Sequence, residues 1–226
     1  VGTVRSSRVL LEKGKVNYTI LRSLDSSNRI LDKMNPTSLA KAQKNSVEIE
    51  NRIQFLDGAM GTQLQAKGLP AGASPELFMM EHGEIVEEVH AAYIESGSDI
   101  IYTNTFTANA KKLKNTGYTV EEIITRGVQL ARSAARKKEG VRIALDIGPI
   151  GELLEPNGYL PFEEAYELFR QQVVAGEQAG ADVIVFETMS DLYEVKAAIL
   201  AAKENTALPV FVTMSFEADH RTFTGC

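Results

Sequence analysis

The sequence predicts an α/β fold in which short apolar strands and amphipathic helices alternate and the strands lie parallel. Three observations predict it. Apolar runs recur, each closed by a polar residue: Ile53–Asp57, Asp99–Asn104, Val141–Asp146, Asp182–Glu187 and Pro209–Ser215. These runs are continuous rather than alternating in polarity, as expected of strands covered on both faces. The first four closing polar residues (Asp57, Asn104, Asp146, Glu187) are about 41 to 47 residues apart, the length of one strand–helix unit. That spacing fits either a (β/α) barrel or a doubly wound sheet.

In chain order, Ile53–Asp57 reads as the first strand, followed by a tight glycine-bearing turn and a short helical start. Glu84–Ser96 reads as a helix with Ile85, Val89, Ala92 and Tyr93 on one face and Gly97 closing it. Asp99–Asn104 is the second strand. Thr119-Val120-Glu121-Glu122 is a capping box opening a helix with the stripe Ile124, Val128, Ala131 and Ala135, ended by Gly140. After the third strand, Phe162, Ala165, Tyr166, Phe169 and Val173 mark a helix stopped by Gly180. Ser190 or Asp191 caps the fourth helix, which carries Leu192, Val195, Ile199 and Ala202. The segments Glu95–Ile101 and Gln178–Ile184 repeat one device: helix end, glycine, aspartate, strand start.

Counting then favours a barrel that is incomplete. Five strands and four helices occupy residues 52–226, whereas an eight-stranded barrel needs about 250 residues. The expectation is a (β/α)8 TIM-barrel type fold, cut short, with the remaining strands beyond Cys226. The start at Val1 rather than Met points the same way, and Met34 is a candidate natural start. Residues 1–50 are expected to be a poorly ordered or helical extension, with helices near Tyr18–Leu31 and over Thr37–Glu50; residues 51–226 form the barrel part.

Composition excludes several classes. The net charge of −6 argues against nucleic acid as the main partner. Residues 1–50 hold nine Lys/Arg against five Asp/Glu, but with a single aromatic residue, Tyr18, and no regular basic face they read as a solvated leader. No apolar run is long enough for a bilayer, and no signal-peptide layout opens the chain. A single cysteine, Cys226, makes a cytoplasmic location the default.

In such a fold the chemistry sits at the C-terminal strand ends. Those ends carry Asp57, Thr103-Asn104, Asp146, Glu187 and Ser215, a ring suited to a small polar ligand with an ammonium group. There is no GxxxxGK[ST] loop and no GxGxxG; Gly58-Ala59-Met60-Gly61 is too short. His82, His90 and His220 have no metal-ligand spacing, and His90 reads as a surface residue. Asn157-Gly158 marks a turn in a loop over the mouth.

Five ordered blocks resemble the homocysteine S-methyltransferase family. They are Leu56-Asp57-Gly58-Ala59-Met60-Gly61-Thr62, the stretch Thr103-Asn104-Thr105-Phe106-Thr107-Ala108-Asn109, then Asp146-Ile147-Gly148-Pro149, Phe186-Glu187-Thr188-Met189 and Arg221-Thr222-Phe223-Thr224-Gly225. The form of Ala144–Pro156 looks most like the N-terminal homocysteine-binding domain of bacterial cobalamin-dependent methionine synthases. The resemblance implies methyl transfer to the thiol of homocysteine, activated as a thiolate on zinc, to form methionine. It implies that Asp57 and Glu187 hold the substrate amino group. It places Phe106 and Thr107 on the amino-acid pocket, with Asn104 and Thr188 as supporting donors. Methylcobalamin is the implied methyl carrier, with cobalamin and folate domains as partners.

The family's zinc cysteines lie in a Gly-x-Asn-Cys stretch and a Gly-Gly-Cys-Cys block, and neither is in this sequence. They are expected beyond Cys226, which is itself not promoted to a ligand. This chain alone is therefore expected to lack zinc and turnover. Rival readings are donors other than methylcobalamin (S-methylmethionine or betaine), an aldolase or lyase using the carboxylates for proton transfer, and a non-catalytic barrel fragment with exposed sheet edges.

Overall fold

A computed structural model describes residues 53–226. The helices expected near Tyr18–Leu31 and over Thr37–Glu50 lie outside the described residues. The chain first forms two short helices, α1 (Met60–Ala66) and α2 (Pro75–Glu81), then α3 (Gly83–Glu95). From there strands and helices alternate: β1 (Ile100–Tyr102), α4 (Val120–Ala135), β2 (Arg142–Ile147), α5 (Phe162–Ala179), β3 (Val183–Met189), α6 (Leu192–Asn205) and β4 (Val210–Met214). The four strands form one parallel sheet in sequence order. The four expected helices are present as α3 to α6, within a residue of their expected bounds except at the end of α4, which stops at Ala135, before the Gly140 expected to close it.

The expected first strand, Ile53–Asp57, is reduced to a single bridge. Leu56 pairs with Ile100, Phe55 C=O accepts from Asp99 and Ile100 N–H, and Asp57 N–H donates to Ile100 C=O at 3.0 Å. Among the described residues it has a neighbour on one side only, and Ile53, Phe55 and Leu56 stay 66, 61 and 48% exposed. Apolar side chains without a layer to pack on contribute little to holding a strand straight.

The helix boundaries follow from local chemistry. Thr119 Oγ1 accepts from Glu122 N–H while the Glu122 carboxylate accepts from Thr119 N–H, so the capping box of α4 is complete. Asp191, rather than Ser190, caps α6 through Tyr193 N–H. Gly180 ends α5 at φ +94°, a backbone state open to glycine without steric cost.

Parity along the strands sorts the sheet into two faces. Ile101, Ile143, Leu145, Ile147, Ile184 and Phe186 face the helices and join the main core, where Phe169 meets Phe186 edge-on at 5.6 Å. Ile100, Ala144, Val183 and Val185, with Tyr102 and Phe211, form a separate small cluster on the opposite face. Continuing that second parity one step along β2 and β3 reaches Asp146 and Glu187.

His90 corrects a sequence expectation. It is fully buried on α3, and neither ring nitrogen has a partner among the described residues. α3 buries Val86, Val89, His90 and Ile94, because it packs against α4 on one side and α1 and α2 on the others. Burial lowers the imidazole to about 4, so it stays neutral near pH 7.

Candidate functional site

Three carboxylates from the first, third and fourth units meet at the C-terminal end of the sheet. Asp57 follows the bridge at Leu56; Asp146 and Glu187 stand on the inner face of β2 and β3. Asp57 is half-buried, and its Oδ2 accepts from Tyr102 N–H at 3.0 Å. Desolvation, with the nearby Glu187 charge adding to it, raises its pKa from 3.8 to about 7. Asp146 is buried, and desolvation together with Glu187, Asp57 and Glu76 holds its carboxyl well above the ordinary range. Desolvation also raises Glu187. No Lys, Arg or His among the described residues offsets these three groups. Such a cluster is short of positive charge, and a bound cation would relieve it.

Asp146 is held by its backbone and left open at its tip. Its N–H donates to Thr103 Oγ1 at 3.0 Å, and its C=O accepts from Thr105 Oγ1 at 2.8 Å. The two threonine hydroxyls meet at 2.6 Å, closing a small network between β1 and β2. The carboxyl Oδ1 itself is buried with no partner among the described residues. A buried polar atom with no partner carries a desolvation cost that a ligand donor would remove.

Tyr102 was not singled out from the sequence. Its ring lies on the same face as Ala144, its partner across the β1–β2 pair. Burial and then Glu187, Asp146 and Asp57 push its hydroxyl pKa upward, so it remains a phenol among the carboxylates. Strand alternation from Ile100 was the available signal. Glu76, on α2, was also missed; nothing in its local sequence marks a buried acid.

The remaining expected site residues are anchored around this cluster. Asn104 is buried, and its Nδ2 donates to Pro75 C=O at 2.7 Å. Thr107 N–H donates to Glu76 Oε1 at 2.7 Å. The Phe106 ring lies against Gly148, where any Cβ would overlap it, and Phe106 C=O accepts from Gly148 N–H at 2.9 Å. Thr188 is exposed at φ +54°, a strained state for a β-branched residue, beside a register shift in β3. Its N–H donates to Thr213 Oγ1 at 3.0 Å. The structure thus brings Asp57 and Glu187 together with Asp146 and Tyr102. The amide of Asn104 and the backbone N–H groups of Thr107 and Thr188 are already engaged within the protein.

The loop after β2 is tied down separately. Ile150 N–H donates to Glu194 Oε1 at 2.7 Å, and Lys112 Nζ to Pro149 C=O at 3.0 Å. Leu154 and Leu160 bridge the loop around Asn157-Gly158. Among the described residues no three His, Cys, Asp or Glu side chains are grouped to hold a metal ion, so the residues present do not fit zinc by themselves. No helix among the described residues is long and apolar enough to cross a membrane.

Residues 54–225 match the family model described as homocysteine S-methyltransferase. The chain is 28% identical over 186 residues to methionine synthase of Mycobacterium leprae, covering 75% of this chain and 15% of that protein. It is equally similar to methionine synthase of Mycobacterium tuberculosis, of which it covers 16%. It therefore spans about one sixth of the length of these relatives. In fold it resembles the homocysteine methyltransferase MmuM from Escherichia coli in its metallated form, with a TM-score of 0.70 at 22% identity over 77% of this chain and 67% of that one. The oxidized form of the same protein matches with a TM-score of 0.70 over 82% of this chain and 69% of that one, at 21% identity.

Proposed function

Because the chain belongs to the homocysteine S-methyltransferase family, we propose that it takes part in methyl transfer to the thiol of homocysteine to form methionine. In this reading residues 51–226 are the N-terminal part of a homocysteine-binding (β/α)8 barrel. The observation that carries it is the trio Asp57, Asp146 and Glu187, close together at one sheet end with no cation among the described residues offsetting them. An α-ammonium group supplies the missing charge and donors for the open Asp146 oxygen.

The chain's own residues bind and orient. Asp57 and Glu187 receive the ammonium, and Phe106 and Thr107 wall the amino-acid pocket. Asn104 and Thr188 hold the turns that carry these groups. Zinc, when bound, supplies a thiol deprotonated at neutral pH. The described residues do not form its site.

Methylcobalamin is the proposed methyl carrier, with cobalamin and folate domains as partners; the similarity to methionine synthases supports this. S-methylmethionine or betaine is the second reading, favoured by the fold shared with a homocysteine methyltransferase. A single cysteine supports a cytoplasmic place of action.

Calorimetry tests the carrying claim. L-homocysteine should bind the purified chain, and its analogue lacking the amino group should bind at least tenfold more weakly. Equal affinity for the two compounds would remove the ammonium clamp.

A further inference from the structure

We infer that Glu76 is a positioning residue for the amino-acid pocket, acting through the backbone of Thr107. This rests on the homocysteine-binding reading above. Glu76 is 1% exposed, although it lies in the first turn of a seven-residue helix, where a glutamate ordinarily faces water. Both of its carboxyl oxygens are occupied. Oε2 accepts from Ser74 Oγ at 2.7 Å, and Oε1 accepts from Thr107 N–H at 2.7 Å, across 31 residues of chain.

The neighbouring backbone repeats the tie, since Pro75 C=O accepts from Asn104 Nδ2 at 2.7 Å. The opening of α2 therefore holds both ends of the turn 104–107, and Phe106 lies between the two anchors. Gly148, having no side chain, leaves the space that the Phe106 ring fills. A charge-assisted bond to a part-buried backbone N–H is among the stronger single ties a loop can have. Without an acceptor at Glu76, the Thr107 N–H must find water or stay unpaired, and the turn loses its set position. Glu76 reaches no reacting atom in this arrangement. It acts by keeping Phe106 and Thr107 where a ligand would meet them.

Two readouts test this on the full chain. Hydrogen exchange at the Thr107 amide needs no ligand: Glu76→Met, which fills the volume without an acceptor, should speed it at least tenfold relative to the α4 amides. Glu76→Gln keeps an oxygen for Thr107 N–H and should restore protection. Calorimetry with L-homocysteine should show about tenfold weaker binding for Glu76→Met and near-native binding for Glu76→Gln.

Unchanged Thr107 exchange in Glu76→Met overturns the positioning role, whatever the ligand does. Faster exchange with unchanged homocysteine affinity overturns its link to the pocket. A wild-type chain that binds no homocysteine overturns the substrate reading instead, and the exchange data still decide whether Glu76 holds the turn. Should Glu76→Met fail to fold, Ser74→Ala frees one Glu76 oxygen and also removes the cap on Leu77 N–H, so Thr107 exchange is read against the Leu77 amide; Thr107 exchange and homocysteine affinity should fall between wild type and loss, and wild-type values for both would overturn the role.

Discussion

Asp57→Asn should stabilise the ligand-free chain, and by more at pH 8 than at pH 5. In the folded protein the carboxyl titrates at about 7 instead of 3.8. Between those values the native state binds a proton that the unfolded chain has lost, so stability is greatest at low pH and falls as pH rises through about 7. At ~1.4 kcal/mol per unit, the raised pKa of Asp57 lowers stability by about 2 kcal/mol by pH 5 and by about 4 kcal/mol by pH 8. The asparagine oxygen can still accept from Tyr102 N–H, which keeps the pH-independent part small. Removing one charge also eases Asp146, which Asp57 raises, an effect of the same sign. Urea unfolding of both proteins at pH 5, 6.5 and 8 reads the difference, which should widen by about 2 kcal/mol from pH 5 to pH 8. The same substitution should weaken homocysteine binding, separating stability from function at one residue. A stability difference that stays flat with pH, or an asparagine variant less stable at pH 8, would refute the desolvated-carboxylate account.

Gly148→Ala places a methyl group in the Phe106 ring and should cost about 1–3 kcal/mol, together with a loss of homocysteine affinity seen by calorimetry. Gly176→Ala meets Leu145 between α5 and β2, so a thermal melt should show a similar loss while ligand affinity stays at the wild-type value. His90→Leu removes two unpaired buried nitrogens and should gain roughly 1–2 kcal/mol at neutral pH. Because burial lowers His90 to about 4, the wild type loses stability as pH falls from 6.5 towards 4, and the leucine variant should lack that part of the loss in acid unfolding curves.

Much of the architecture was legible along the chain, because it rests on local rules. The capping box at Thr119 and Glu122, the glycine stop at Gly180 and the apolar stripe of α4 each depend on residues within a few positions of one another. The same holds for the strand-end carboxylates: a polar residue closing an apolar run is visible without knowing its neighbours. Three features could not be read that way. Ile53–Asp57 has the composition of a strand, yet a strand needs neighbours, and the described residues give it one bridge. His90 has the pattern of a surface position, but the helices around α3 set which of its faces is covered. Glu76 and Thr107 lie 31 residues apart, and their bond exists only because α2 folds back onto the turn after β1. Sequence by itself determined the repeating units and the identity of the acids at their ends, since periodicity and capping act over one or two turns of chain. Tertiary structure alone decided which acids lose water and partners together, because desolvation and mutual repulsion depend on distances in space that no spacing along the chain encodes.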